Sequence, residues 1–244
     1  MKITYQDALA YYAIDGAHPG GMSLTKEILE NEKINREMII LDAGCGTGET
    51  SSYLAKTFRC MVYSIDNHEE MVKKASEKFL NERISAKAVK GSIENIPFKD
   101  NTFDYIIAES STVFGNISKV MSEYFRVLKH DGVLLNIDMT AEQKLSRKEK
   151  AELMKFYQID EILSEEEWLM SIQKSGFKRC QIVKSASIFD ALEEYSFDDN
   201  EINNREIPLE NVNPEVDRVI QTHQRLLVSY GDKLGYRVFR AVKI

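Results

Sequence analysis

Cysteine is scarce in this 244-residue chain. Cys45, Cys60 and Cys180 stand far apart and leave an odd one over. They form neither the even framework of a disulfide-stapled domain nor the close pairs of a zinc site, so a cytoplasmic, reducing setting is expected. No apolar run approaches the length needed to cross a bilayer. The opening MKITYQDALAYY has no basic start followed by an apolar stretch, so no secretory leader is expected. Positive charge is also short: 32 Lys and Arg against 39 Asp and Glu give a net charge of −7, the wrong sign for a nucleic-acid partner. Basic residues gather only in KLSRKEKAELMK (144–155), where interleaved acids suggest a solvated helix face. No internal repeat or low-complexity linker divides the sequence. These absences predict one domain over 1–244, without metal, membrane or nucleic acid, working as a monomer or homodimer.

What is present is an alternation. MIIL (38–41), CMVYSI (60–65), AKAVK (86–90), FDYIIAE (103–109) and GVLLNIDM (132–139) read as strands. GETSSYLAKTF (48–58), HEEMVKKASEKFLNE (68–82) and VMSEYFRVLK (120–129) read as helices between them, with HDG (130–132) as a turn. Such β-α-β order predicts a parallel sheet covered on both faces. Further on, SEEEWLMSIQKSGF (164–177) reads as a helix capped by Ser164 and closed by Gly176, and CQIVKSASIF (180–189) as a strand. PEVDRVIQTHQRLLVSYGD (214–232) reads as a helix with Pro214 at its start, and YRVFRAVKI (236–244) as the last strand. Residues 190–217 hold ten Asp or Glu and one Arg, Arg205, an acidic insertion too long for a plain connection. Residues 1–36 read as a helical N-terminal cap.

The informative stretch is DAGCGTG (42–48). Its glycines fall at 44, 46 and 48, a G-x-G-x-G spacing that differs from the G-x-G-x-x-G of dinucleotide folds. No Gly-Lys-Ser/Thr ending follows, which excludes an NTPase phosphate loop. Asp42, two residues before the first glycine, would repel a phosphate and favour a cation. Asp66 ends the second strand, where α/β nucleotide folds place a carboxylate against ribose hydroxyls. Either acid alone could be a helix N-cap; the two in this order favour a ligand with a sugar and a positive charge.

ILDAGCGTGETSSYLA resembles motif I of the class I S-adenosylmethionine-dependent methyltransferases. The resemblance continues through YSIDNHEEMVKKA, KGSIENIPFKDNTFDYIIAES and EYFRVLKHDGVLLNIDM, and covers roughly residues 36–185. It is nearest to the small-molecule enzymes of the ubiquinone/menaquinone and arsenite type. It implies an α/β fold: a Rossmann-like, doubly wound sheet of seven strands, mostly parallel with an antiparallel last strand. It implies S-adenosyl-L-methionine as cofactor, S-adenosyl-L-homocysteine as product and a small-molecule acceptor as partner. Asp42, Ala43, Gly44, Gly46 and Gly48 would then hold the methionine end, and Tyr12 its carboxylate. Asp66 would take the ribose, with Asn67, Met71, Ser92 and Ile93 around the adenine. Glu109 would face the cleft between cofactor and acceptor. The family's usual Gly-Asp-Ala is GSI here, so a carboxylate for the adenine amine is missing.

Methyl transfer from a sulfonium needs alignment more than acid–base work, and a base matters only for an acceptor that arrives protonated. His18, in a Pro-Gly-Gly turn, reads either as that base or as part of a surface turn opening a helix at Ser23. Glu109 is the other polar candidate, and His223 reads as structural or as facing the acceptor. The dispersed cysteines argue against arsenite. The acidic insertion suggests a cationic acceptor, against the plainer reading of a solvated loop. A nonenzymatic S-adenosylmethionine-binding module and a nicotinamide oxidoreductase are the competing functions, and the glycine spacing with Asp42 argues against the latter.

Overall fold

The computed structural model describes residues 3–14, 18–195 and 213–244. Its centre is a seven-stranded sheet formed by β1 (Ile39–Ala43), β2 (Met61–Asp66), β3 (Ala86–Lys90), β4 (Phe103–Glu109), β5 (Leu128–Ala141), β6 (Arg179–Ser187) and β7 (Leu234–Val242). The order across the sheet is β3-β2-β1-β4-β5-β7-β6. Every pairing up to β5 is parallel, and β7 runs antiparallel to both β5 and β6. The expected mostly parallel sheet with an antiparallel last strand is therefore present.

Helices cover both faces. On one lie α1 (Tyr5–Tyr12), α5 (Ile117–Val127), α6 (Arg147–Tyr157), α7 (Glu165–Lys174) and α9 (Pro214–Tyr230). On the other lie α2 (Gly21–Glu30) and α3 (Glu49–Thr57), while α8 (Ile188–Tyr195) reaches this face through Ala191. The remaining helix, α4 (Glu69–Glu82), packs Ala75 and Phe79 beside the glycine loop. Central strands bury both faces: four of the five β1 residues are buried, the continuous apolar reading a doubly covered strand requires.

Several boundaries differ from the sequence reading, each for a local reason. The HDG turn is absorbed into β5. Asp131 takes a left-handed φ of +63°, the β4–β5 register shifts between Phe103 and Tyr105, and the Lys243 backbone pairs with Asp131 and Gly132. The strand expected over 180–189 stops at Ser187. There Ser187 and Asp190 cap α8 reciprocally, side chain to backbone in both directions. The helix expected to open at Ser23 begins at Gly21. Ser164 caps α7 as expected, with a complete capping box to Glu167; the helix closes at Ser175, with left-handed Gly176 next. Of the acidic insertion, 190–195 belong to α8 and 213–217 start α9, while 196–212 lie outside the described residues.

Trp168 fastens α7 to the sheet. It is fully buried, its indole N–H donates to the Met139 carbonyl at 3.0 Å, and its ring meets Phe239 of β7 at 5.7 Å. Replacing it removes the largest apolar anchor on this face. Trp168→Ala is expected to cost about 3–5 kcal/mol, read as a lower urea midpoint by circular dichroism. A loss under about 1 kcal/mol would mean that α7 is held by its other contacts.

Candidate active site

A cavity of about 280 Å³ opens over the carboxyl ends of the parallel strands, the place where open α/β sheets bind ligands. The glycine loop forms its floor. The Gly44 and Cys45 N–H groups both donate to the Ile65 carbonyl, at 2.8 and 3.0 Å, which ties the loop to the end of β2. Gly44 and Gly48 have φ of +79° and +87°. A Cβ at Gly44 would lie 2.3 Å from that of Ser111, and one at Gly48 would lie 2.6 Å from the Phe79 ring. Both positions therefore demand glycine twice over, for conformation and for space. A Cβ at Gly46 would meet nothing within 4 Å, so the backbone there is bare toward the cavity.

Four neighbouring strands, β2, β1, β4 and β5, each bring one carboxyl to this opening: Asp66, Asp42, Glu109 and Asp138. Asp66 receives the Gly46 N–H at 3.0 Å and the His68 N–H at 2.8 Å, one on each oxygen. Burial raises its pKa, and these backbone donors hold it back. Asp42 is buried and accepts from the Ser51 hydroxyl at 2.5 Å. Burial pushes it up to about 7, the Ser51 donor draws it down, and the neighbouring Glu109 and Asp66 push it up further. Glu109 accepts from the Thr25 hydroxyl at 2.5 Å and the Thr50 hydroxyl at 2.6 Å. Ser110 follows it with φ of +47°, a conformation costly for a non-glycine residue and often found beside working side chains.

His18 is buried in this wall. Its Nε2 lies 3.2 Å from Thr25 Oγ1 and 3.6 Å from Glu109 Oε1, so the two candidates proposed for proton handling are neighbours. His223 also lines the cavity. Its Nδ1 is 2.9 Å from the Tyr157 hydroxyl, and burial lowers its pKa to about 4, leaving it neutral near pH 7.

Asp42, Gly44, Gly46, Asp66, Asn67, Met71, Ser92, Ile93, Glu109 and His18 all line the cavity. Three expected residues do not. Ala43 is sealed in the core, and Gly48 packs against Phe79 in starting α3. Tyr12 turns to α9, where its hydroxyl donates to Asp217 and receives the Asn213 N–H; Tyr5, two turns earlier on the same helix, lines the cavity instead. Sequence reasoning missed Tyr5, Tyr157 and Asp138. The signal for Asp138 was legible: an acid inside the apolar run GVLLNIDM needs a reason. Of the three cysteines only Cys45 lines the cavity, and burial raises its thiol pKa.

Residues 40–132 match the family described as Methyltransferase domain. YodH of Bacillus subtilis, described as an uncharacterized methyltransferase, is 29% identical over 240 residues, 98% of this chain and 99% of its own. Among solved structures, phosphoethanolamine N-methyltransferase 2 of Haemonchus contortus, in complex with phosphomonomethylethanolamine and S-adenosylhomocysteine, is similar with a TM-score of 0.79 at 20% identity. That likeness covers 98% of this chain and 57% of that one. A putative sarcosine dimethylglycine methyltransferase from Galdieria sulphuraria gives 0.73 at 20% identity, over 90% of this chain and 84% of that one. At such identities these structures bear on the fold alone. The matching domain model and the full-length relative agree with the methyltransferase resemblance read from the sequence.

The raised acids set a pH dependence. Asp42 and Asp138, both near 7 when folded against an ordinary 3.8, hold more protons in the folded than in the unfolded chain between those values. Stability therefore falls as pH rises through that window. The urea midpoint of the ligand-free protein is expected to drop between about pH 5 and about pH 7, and Asp42→Asn to flatten the drop. A midpoint that rises over this range would contradict the assignment.

Proposed function

We propose that the cavity holds S-adenosylmethionine across its acidic edge and passes the methyl group in line to a small-molecule acceptor lying toward α1, α6 and α9. The observation that carries this reading is the bare backbone at Gly46 between two strand-end aspartates. One of them, Asp66, is already oriented by two backbone N–H groups, so it needs no rearrangement to accept from a sugar diol. The residues present suit the cofactor: apolar Met71 and Ile93 for a flat base, carboxylates for hydroxyls and positive charge, and no Lys or Arg among the described lining residues.

In this reading Asp66 accepts from the ribose hydroxyls, and Asn67, Met71, Ser92 and Ile93 enclose the adenine. Asp42 and the Gly44–Gly46 backbone hold the methionine end. Bound there, the cofactor supplies a methyl carbon on a cationic sulfur that departs as a neutral thioether. The protein's task is then to align the acceptor and exclude water. Glu109, fixed by Thr25 and Thr50, orients groups at the junction of the two ligands. His18, beside it, is placed to take a proton from an acceptor or to close the N-terminal wall over the site.

Calorimetry with S-adenosylmethionine and with NADH, followed by assay of S-adenosylhomocysteine formation with mixed acceptors, tests the whole reading; binding of NADH in preference would overturn it. Asp66→Ala is expected to weaken cofactor binding by about 1–3 kcal/mol, and unchanged affinity would remove Asp66 from the site. For His18→Ala, turnover is expected to fall far more than cofactor affinity. Equal loss of both would make His18 part of the wall and not a base.

A further inference from the structure

Asp138 is the one carboxyl of the four that the cofactor reading leaves without a task. It is fully buried yet lines the cavity, and neither of its oxygens makes a hydrogen bond within ordinary distance among the described residues. Of the neighbouring groups, the Thr112 hydroxyl donates to Asn136 Oδ1 at 2.5 Å, and the Asn136 amide nitrogen beside it is likewise without a partner among the described residues. Arg237, directly across the β5–β7 ladder, pairs with Glu142 and Glu165. An unpaired buried carboxyl is costly unless something else satisfies it. Burial pushes it up to about 7, and the nearby Thr112, Met139 and Asn136 donors draw it back.

The same cavity is walled in part by rings. Tyr5 meets Tyr157 edge-on at 5.2 Å and lies against His223 at 4.7 Å, and all three line the cavity. Aromatic faces and a carboxyl lining one cavity both attract an organic cation. His223, kept neutral, does not repel one. Phosphate and carboxylate groups would meet an acidic edge with no Lys or Arg among the described lining residues.

We infer that Asp138 and the rings of Tyr5, Tyr157 and His223 form the acceptor subsite, and that it takes an amine bearing no phosphate or carboxylate group. This rests on the methyltransferase reading above and adds the acceptor's class. The amine binds as an ammonium ion paired with Asp138 and gives one proton to that carboxylate. The freed nitrogen pair forms the N–C bond as the C–S pair passes to sulfur, leaving a methylated ammonium and a neutral thioether; the carboxyl proton then returns to solvent.

The test is calorimetry on protein loaded with S-adenosylhomocysteine, using ethanolamine, putrescine and tyramine beside phosphoethanolamine and glycine. At least one of the three simple amines is expected to bind, and to bind more tightly than either anionic compound. Asp138→Asn is expected to weaken it by about tenfold or more while S-adenosylhomocysteine affinity stays within about twofold. Should Asp138→Asn fail to fold, His223→Leu, which strips one ring from the wall, must weaken the same amine several-fold. Amine binding that survives these changes, equal binding of phosphoethanolamine, or no amine binding by the loaded protein would each overturn the proposal. Failure of S-adenosylhomocysteine itself to bind would instead sink the underlying methyltransferase reading.

Discussion

Like charges brought together in a partly enclosed cleft must be relieved, and this constraint shapes the site. Asp66, Asp42, Glu109 and Asp138 rise from four adjacent strands spaced about 4.8 Å apart. No Lys or Arg stands among the described residues lining the cleft. Three of the carboxyls are relieved differently: Asp66 takes two backbone N–H groups, Glu109 two threonine hydroxyls, and Asp42 a serine hydroxyl with a raised pKa, while the Asp138 oxygens make no hydrogen bond within ordinary distance among the described residues. In the proposed reading a cationic ligand is the partner that serves the whole row, and the ligand-free cleft is the less favourable arrangement.

The fold exists to hold that row in register. Parallel strands point their carboxyl ends one way, so acids at the ends of β1, β2 and β4 converge without any long-range design beyond strand order. The glycine loop must cross close to β2 to leave the cleft open. Gly44 and Gly48 allow this because a side chain at either would strike Ser111 or Phe79. On the far side, Trp168 locks α7 against β5 through the Met139 carbonyl, the residue next to Asp138. The proposed cofactor and acceptor ends are thus carried by one sheet, and the cavity wall is completed by α1 and α9.

Much of this was legible in the sequence because local patterns encode it. Apolar runs ending in Asp42, Asp66 and Glu109 gave both the strands and three of the acids that line the cavity, since the same residue closes the run and reaches the opening. The acceptor end was opaque. Tyr5, Tyr157 and His223 come from helices some 70 to 220 residues apart, and only packing brings their rings together. Tyr12 shows the same limit from the other side: it and Tyr5 lie on one helix, and nothing local says which of the two faces the cavity. The turn at His130–Gly132 and the end of β6 were misread because pairing with Lys243 and the Ser187–Asp190 cap outweigh local propensity. Asp138 was in view as an acid within an apolar strand, and its meaning depended on finding that Arg237 across the ladder pairs elsewhere.

A crystal structure grown with S-adenosylhomocysteine tests the central claim most directly. The account predicts ribose hydroxyls within hydrogen-bond distance of Asp66, the amino-acid end over the Gly44–Gly46 backbone beside Asp42, and the thioether sulfur turned toward the space between Glu109 and Asp138. A nucleoside bound away from Asp66, or a ligand that leaves the acidic row facing only solvent, would contradict it.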